Sequence, residues 1–261
     1  MTFLSRPSVA RGSRARLGSM RRPTTALALS VVLLAAACSK PAPPEGSTRT
    51  TITTPNGIQL DAIELGDAPK VAVLSHGATG TKEDFYPIAE ALAADGWRVI
   101  AYDGPGVGDS TGTNGEDRAE ALTAVVDHAR ATDAEAVVLI GGSMGAGLSL
   151  AMAAPLHADA VVSLSAPATA YDALDAARTM PDDIAVFVAA SEDNEPYASE
   201  AREIADAAGV EAVIVSGSGH GSGVFKDHPE LLEQVIAWAD DAVAGSAGPS
   251  PTASSEASPS A

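Results

Sequence analysis

A serine hydroxyl becomes a useful nucleophile when a base can take its proton and a third group orients that base. In this 261-residue chain, Gly141-Gly142-Ser143-Met144-Gly145 offers such a hydroxyl. The segment directly follows the apolar run 136–140 and opens a helical pattern at about 144–155. A serine between glycines at a strand-to-helix turn is a nucleophile elbow: small neighbours let strand and helix approach, and the sharp turn points Oγ away from the sheet. A bare Gly-x-Ser-x-Gly is otherwise an ordinary glycine turn in a chain so rich in alanine and glycine. The strand before it and the helix after it give it weight.

The acid and then the base should follow later strands. Of five histidines, His220 in Gly217-Ser218-Gly219-His220-Gly221 sits in a glycine loop after the last strand-like run. His76 precedes the elbow, His128 lies mid-helix as a surface residue, His157 follows the elbow helix, and His228 stands beside Pro229 at a helix start. The run 184–188 ends in Ala189-Ala190-Ser191-Glu192-Asp193-Asn194, so two carboxylates are available. Asp193 is the expected acid and Glu192 the alternative. A tetrahedral intermediate also needs preformed N–H donors. The backbone N–H of Met144 is one, and the loop Leu74-Ser75-His76-Gly77-Ala78-Thr79-Gly80 supplies the second at Ala78, with His76 shaping the loop by hydrogen bonding.

These groups need a rigid frame. Residues 71–74, 99–101, 136–140, 161–164, 184–188 and 212–215 are nearly continuous apolar runs, the pattern of strands buried on both faces of a parallel sheet. Residues 51–54 and 58–62 flank Pro55-Asn56-Gly57 and read as a hairpin. Helical patterns fall at about 82–95, 116–131, 144–155, 169–178, 196–208 and 227–242. Glu195-Pro196 opens the fifth; Asp227 as N-cap with Pro229 opens the last. Alternating strands and helices imply a doubly wound sheet. Only residues 165–183 separate the fourth and fifth of the apolar runs, so no large cap domain fits there. The glycine-rich stretch Asp103-Gly104-Pro105-Gly106-Val107-Gly108-Asp109-Ser110 follows a strand and invites a phosphate-loop reading. It lacks Gly-x-Gly-x-x-Gly and a nearby basic residue, and a structural turn lining one side of the site is expected instead.

Net charge is −18, and the first 37 residues hold six arginines and no acid, so the remainder stands at −24. A body this acidic repels phosphate backbones, which excludes a nucleic-acid partner. Its plain role is solubility. The lone cysteine, Cys38, excludes an internal disulfide and any multi-cysteine metal site. Residues 26–38 form a mostly apolar run too short to span a bilayer, preceded by Arg21-Arg22 and ending in small residues and Cys38. That is the layout of a secretory signal, with 1–37 removed. It resembles a bacterial lipoprotein signal, which implies a lipid on Cys38, export and a membrane anchor on the extracytoplasmic face. Ala35 departs from the leucine usual there. Met20 is an alternative start. Residues 38–50 read as a flexible tether, 51–243 as the folded domain and 244–261 as a disordered Ala/Ser/Pro tail.

Taken in order, His76-Gly77, the 103–110 turn, 141–145, Asp193 and His220 resemble the α/β-hydrolase superfamily across about residues 58–240, and its capless esterase and dienelactone-hydrolase-like members in particular. The resemblance implies a mostly parallel eight-stranded sheet flanked by helices, with Ser143 as nucleophile, His220 as base and Asp193 as acid. It implies hydrolysis of a small-molecule carboxylic ester or other acyl substrate, without metal or organic cofactor. Dienelactone hydrolases proper carry cysteine at the elbow where this chain has Ser143, and Ala190 stands where many members have glycine. Thioester or peptide cleavage would use the same groups. A non-catalytic binding lipoprotein would have no reason to keep all three.

Overall fold

The computed structural model describes residues 40–115 and 117–245. The signal-like segment, Cys38 and the tail from 246 onward lie outside the described residues. Continuous apolar runs become strands because helices cover both faces of the sheet. Along β3 (Lys70–Ser75), Val71 and Val73 enter one apolar cluster while Ala72 and Leu74 enter the other. Such a strand has no solvent face, hence no polar alternation.

Eight strands line up in the order β1-β2-β4-β3-β5-β6-β7-β8. β1 (Thr48–Thr53) and β2 (Gln59–Leu65) form the expected antiparallel hairpin, closed by Gly57 at φ +87° and by the Thr54 N–H to Ile58 O bond of 2.9 Å. β2 pairs antiparallel with β4 (Arg98–Tyr102). From there β3, β5 (Ala136–Gly142), β6 (Ala160–Leu164), β7 (Ala185–Ser191) and β8 (Ala212–Val215) run parallel. α1 (Tyr86–Ala94) and α7 (Pro229–Val243) bury Leu92, Leu231 and Val235 on one face. α2 (Arg118–Ala131), α3 (Met144–Ala153), α4 (Ala173–Arg178) and α5 (Tyr197–Ala208) bury Leu122, Leu148, Ala177 and Ile204 on the other. The β6–β7 connection holds only a 3-10 turn (Ala170–Asp172) and α4, so this side of the sheet carries no large cap.

Two local expectations are corrected. The stretch 38–50 is not a tether throughout: Pro44 is buried, the Ser47 hydroxyl donates to Pro44 O at 2.7 Å, and β1 already begins at Thr48. Asp227 does not cap the last helix. It ends the short α6 (Val224–Asp227), His228 takes the N-cap position, and Pro229 opens α7 as expected. Among the described residues no helix is long and apolar enough to cross a membrane.

Candidate active site

Ser143 joins β5 to α3 with φ 55° and ψ −122°. A non-glycine residue held there stores roughly 1–3 kcal/mol of backbone strain, which the packing around it must sustain. The glycine spacing follows from that packing. A Cβ on Gly141 would stand 2.2 Å from Gly145 O, and a Cβ on Gly145 would stand 2.2 Å from Ser75 O of β3. The Ser143 N–H is used structurally, donating to Leu164 O at 2.8 Å. The half-buried side chain borders a cavity of about 530 Å³ lined by Gly77, Ala78, Phe85, Tyr197 and His220, among others.

His220 reaches the same cavity from the loop after β8. Its glycines let that loop lie on the elbow: Gly221, at φ +57°, places its Cβ position 3.4 Å from the Gly142 Cα and 3.5 Å from the Ser143 nitrogen. The Tyr197 ring packs 4.3 Å from the imidazole centroid at 50°. Burial lowers the His220 pKa below the ordinary histidine value. Its Nδ1 lies 2.8 Å from Asn194 Oδ1. An amide oxygen accepts, so Nδ1 carries the proton and Nε2 is left as the basic nitrogen. Among the described residues no hydrogen bond yet joins Ser143 Oγ to His220. Catalytic contacts of this kind commonly tighten when substrate arrives.

The acid expectation needs correction. The structure brings Asn194, and not Asp193, to His220. The cause is the turn after β7: the Asn194 N–H donates to Ser191 O at 3.1 Å and the Asp193 N–H to Gly217 O at 2.9 Å. That turn leaves the side chains of Glu192 and Asp193 exposed and Asn194 partly buried. Sequence reasoning missed Asn194 because the expected chemistry called for a carboxylate, and its only visible signal was being one place away.

His76 has the structural role expected of it. Its Nε2 accepts the Gly104 N–H at 2.9 Å, so Nδ1 holds the proton and donates to Gly77 O at 2.7 Å. Burial first, and then the Arg118 cation, push its pKa down to about 4. A neutral ring with both nitrogens occupied is no general base. Met144 is the first residue of α3, so its N–H has no carbonyl a turn behind it and remains available as an oxyanion donor. Arg118, which lies against His76 and Met144, was another residue the sequence did not single out.

The 103–110 turn is structural, though it does not border the cavity. Asp103 is fully buried and accepts both the Lys82 ammonium at 2.6 Å and the Lys82 N–H at 2.8 Å; Asp61 accepts the same ammonium at 2.7 Å. Burial opposes the Lys82 charge, but its hydrogen bonds to Asp103 and Asp61 prevail and hold its pKa above the ordinary value. This turn supports the site from behind, through Gly104 on His76 and through Asp103 on Lys82, which opens the 3-10 turn carrying Asp84 and Phe85.

The sequence family described as the alpha/beta hydrolase fold matches residues 71–192, the stretch from β3 through the elbow to the end of β7. The chain has the α/β-hydrolase fold. Among solved structures, an esterase from Pyrococcus furiosus is 15% identical with a TM-score of 0.64, over 74% of this chain and 90% of the other. A lidless α/β serine hydrolase from Xanthomonas campestris is 21% identical at TM-score 0.59, over 81% of this chain and 100% of its own. The esterase domain of a Rhodothermus marinus protein is 19% identical at TM-score 0.60, over 74% and 97%. No curated protein sequence matches the chain. In this hydrolase fold Ser143 occupies the strand-to-helix elbow and His220 the loop after the last strand.

Proposed function

We propose that the protein is a serine hydrolase that cleaves carboxylic esters with small or exposed acyl groups. The observation that carries this is the strained Ser143 at the elbow, bordering one cavity with His220, whose amide contact leaves Nε2 basic. Ser143 Oγ attacks the acyl carbon while His220 Nε2 takes its proton. The oxyanion forms against the N–H groups of Met144 and Ala78. His220 then returns the proton to the leaving alcohol oxygen as the C–O bond breaks. In the second half, His220 takes a proton from water, hydroxide adds to the acyl carbon, and the carboxylic acid leaves as Ser143 Oγ regains its proton. The esterase names of two similar structures and the lack of a large cap favour accessible esters. The same groups would serve thioesters or peptides.

The test is fluorophosphonate labelling of the full chain, read by intact mass and peptide mapping. The expected result is a single adduct on Ser143, absent in Ser143→Ala and lost in His220→Ala. Folded protein that takes no label would overturn the hydrolase reading and turn attention to a binding role for the cavity.

A further inference from the structure

Arg118 opens α2 and is 6% exposed, yet among the described residues it pairs with no carboxylate. A buried guanidinium must have its N–H groups satisfied, so the groups it faces are informative. Its Nη2 lies 3.3 Å from Gly77 O and 3.4 Å from His76 O. The same nitrogen is 3.0 Å from His76 Nδ1 and 3.3 Å from Nε2, so the cation rests against the ring without claiming one lone pair. Its Nη1 lies 3.3 Å from Met144 Sδ. The guanidinium is thus wedged behind both segments that carry the oxyanion donors.

Peptide geometry gives this position a consequence. The described chain has one cis bond, at Glu195-Pro196, so the 77–78 peptide is trans. A trans peptide points its C=O and its N–H in opposite directions. Gly77 O is turned inward, where it receives the His76 Nδ1–H at 2.7 Å and the longer Arg118 contact. The Ala78 N–H of that peptide must then point outward. Gly77 and Ala78 border the Ser143 cavity, and a Cβ on Gly77 would stand 3.2 Å from Ser143 Cβ. Donors on the carbonyl also polarise the peptide, which strengthens its N–H as a donor.

We infer that Arg118 is a positioning residue of the oxyanion hole: with His76 it holds the 77–78 peptide in the one orientation that aims the Ala78 N–H at the developing oxyanion. The inference rests on the serine-hydrolase reading. The change Arg118→Lys would keep the charge but lose the planar fork, and Arg118→Met would keep most of the volume and lose both.

The experiment compares the full chain with Arg118→Met and Arg118→Lys, using p-nitrophenyl acetate turnover and inhibition by phenylboronic acid. The boronate adds to the serine and presents a tetrahedral oxygen to the hole. The wild type is measured first; if it neither turns over nor binds the boronate, the hydrolase reading fails before this one is reached. In an active wild type, Arg118→Met should lower kcat about tenfold to a hundredfold with KM within about threefold, somewhat less than loss of a whole donor. Boronate affinity should fall by a similar factor, and Arg118→Lys should recover part of both. If Arg118→Met does not fold, Arg118→Lys alone carries the test, with its kcat and boronate affinity falling together. A folded Arg118→Met with unchanged kcat and boronate affinity, or a variant that loses only thermal stability or only KM, would overturn the inference.

Discussion

The loops after β3 and β8 each carry a histidine beside glycine at the same end of the sheet, and they use it in opposite ways. His76 is 2% exposed, both ring nitrogens are committed to backbone groups, and its pKa falls to about 4. His220 keeps part of its ring open to solvent, one nitrogen rests on an amide oxygen, and the burial of the rest lowers its pKa. Residue type and loop chemistry are nearly the same. What separates the scaffold histidine from the proposed base is whether a second nitrogen remains unclaimed at the cavity and whether the ring can accept a proton there.

The strongest way to break the contrast is to remove each ring. His220→Ala should lower kcat by at least about 10⁴-fold while leaving the thermal midpoint within a few degrees. An equal loss of stability would mean that His220 too is scaffold.

The opposite signature is expected of His76, and its sign can be worked out. The unfolded chain protonates this histidine near 6.5, the folded chain only near 4. Its burial therefore supports the fold fully above pH 6.5, and that support is withdrawn as the pH falls from about 6.5 to about 4, by roughly 3 kcal/mol in all. Urea unfolding across that window should steepen toward acid in the wild type and flatten in His76→Asn. Parallel curves for the two proteins would refute the buried neutral ring.

A smaller and sharper test concerns the two neighbours at the β7 turn. Asn194→Asp places an anion on Nδ1 and stabilises the imidazolium. The acid limb of the kcat/KM profile should move up by about one pH unit. Asp193→Asn, at an exposed side chain, should change kcat/KM by less than about twofold. A large loss in Asp193→Asn would return the acid role to Asp193.

The parts of this molecule legible in the sequence are those fixed by local pattern. The strands could be read because burial on both faces leaves continuous apolar runs such as Val71-Ala72-Val73-Leu74. The elbow could be read because two close approaches, at Gly141 and Gly145, demand glycine at fixed spacing. What escaped was decided by contacts distant in sequence. Asn194 faces His220 because Asp193 is bonded to Gly217, on a different loop. Arg118 reaches His76 across 42 residues, and no pattern inside α2 announces it. The segment before β1 reads as linker by composition, yet Pro44 finds a buried place against the body.

β8 is four residues long, stands at the end of the strand order and, among the described residues, pairs only with β7. Beyond it, the loop to His220 is tied back at Ser216, whose carbonyl lies 2.9 Å from His228 Nε2. Sheet margins open more readily than sheet centres. On the proposed hydrolase reading, a molecule frayed along this margin would keep its core, Ser143 and the N–H groups of Met144 and Ala78, and would lose the placement of His220. If Ser143 and His220 act together as proposed, activity would report on the margin of the sheet and not on its middle, and a warmed sample would fall silent while spectroscopically still folded.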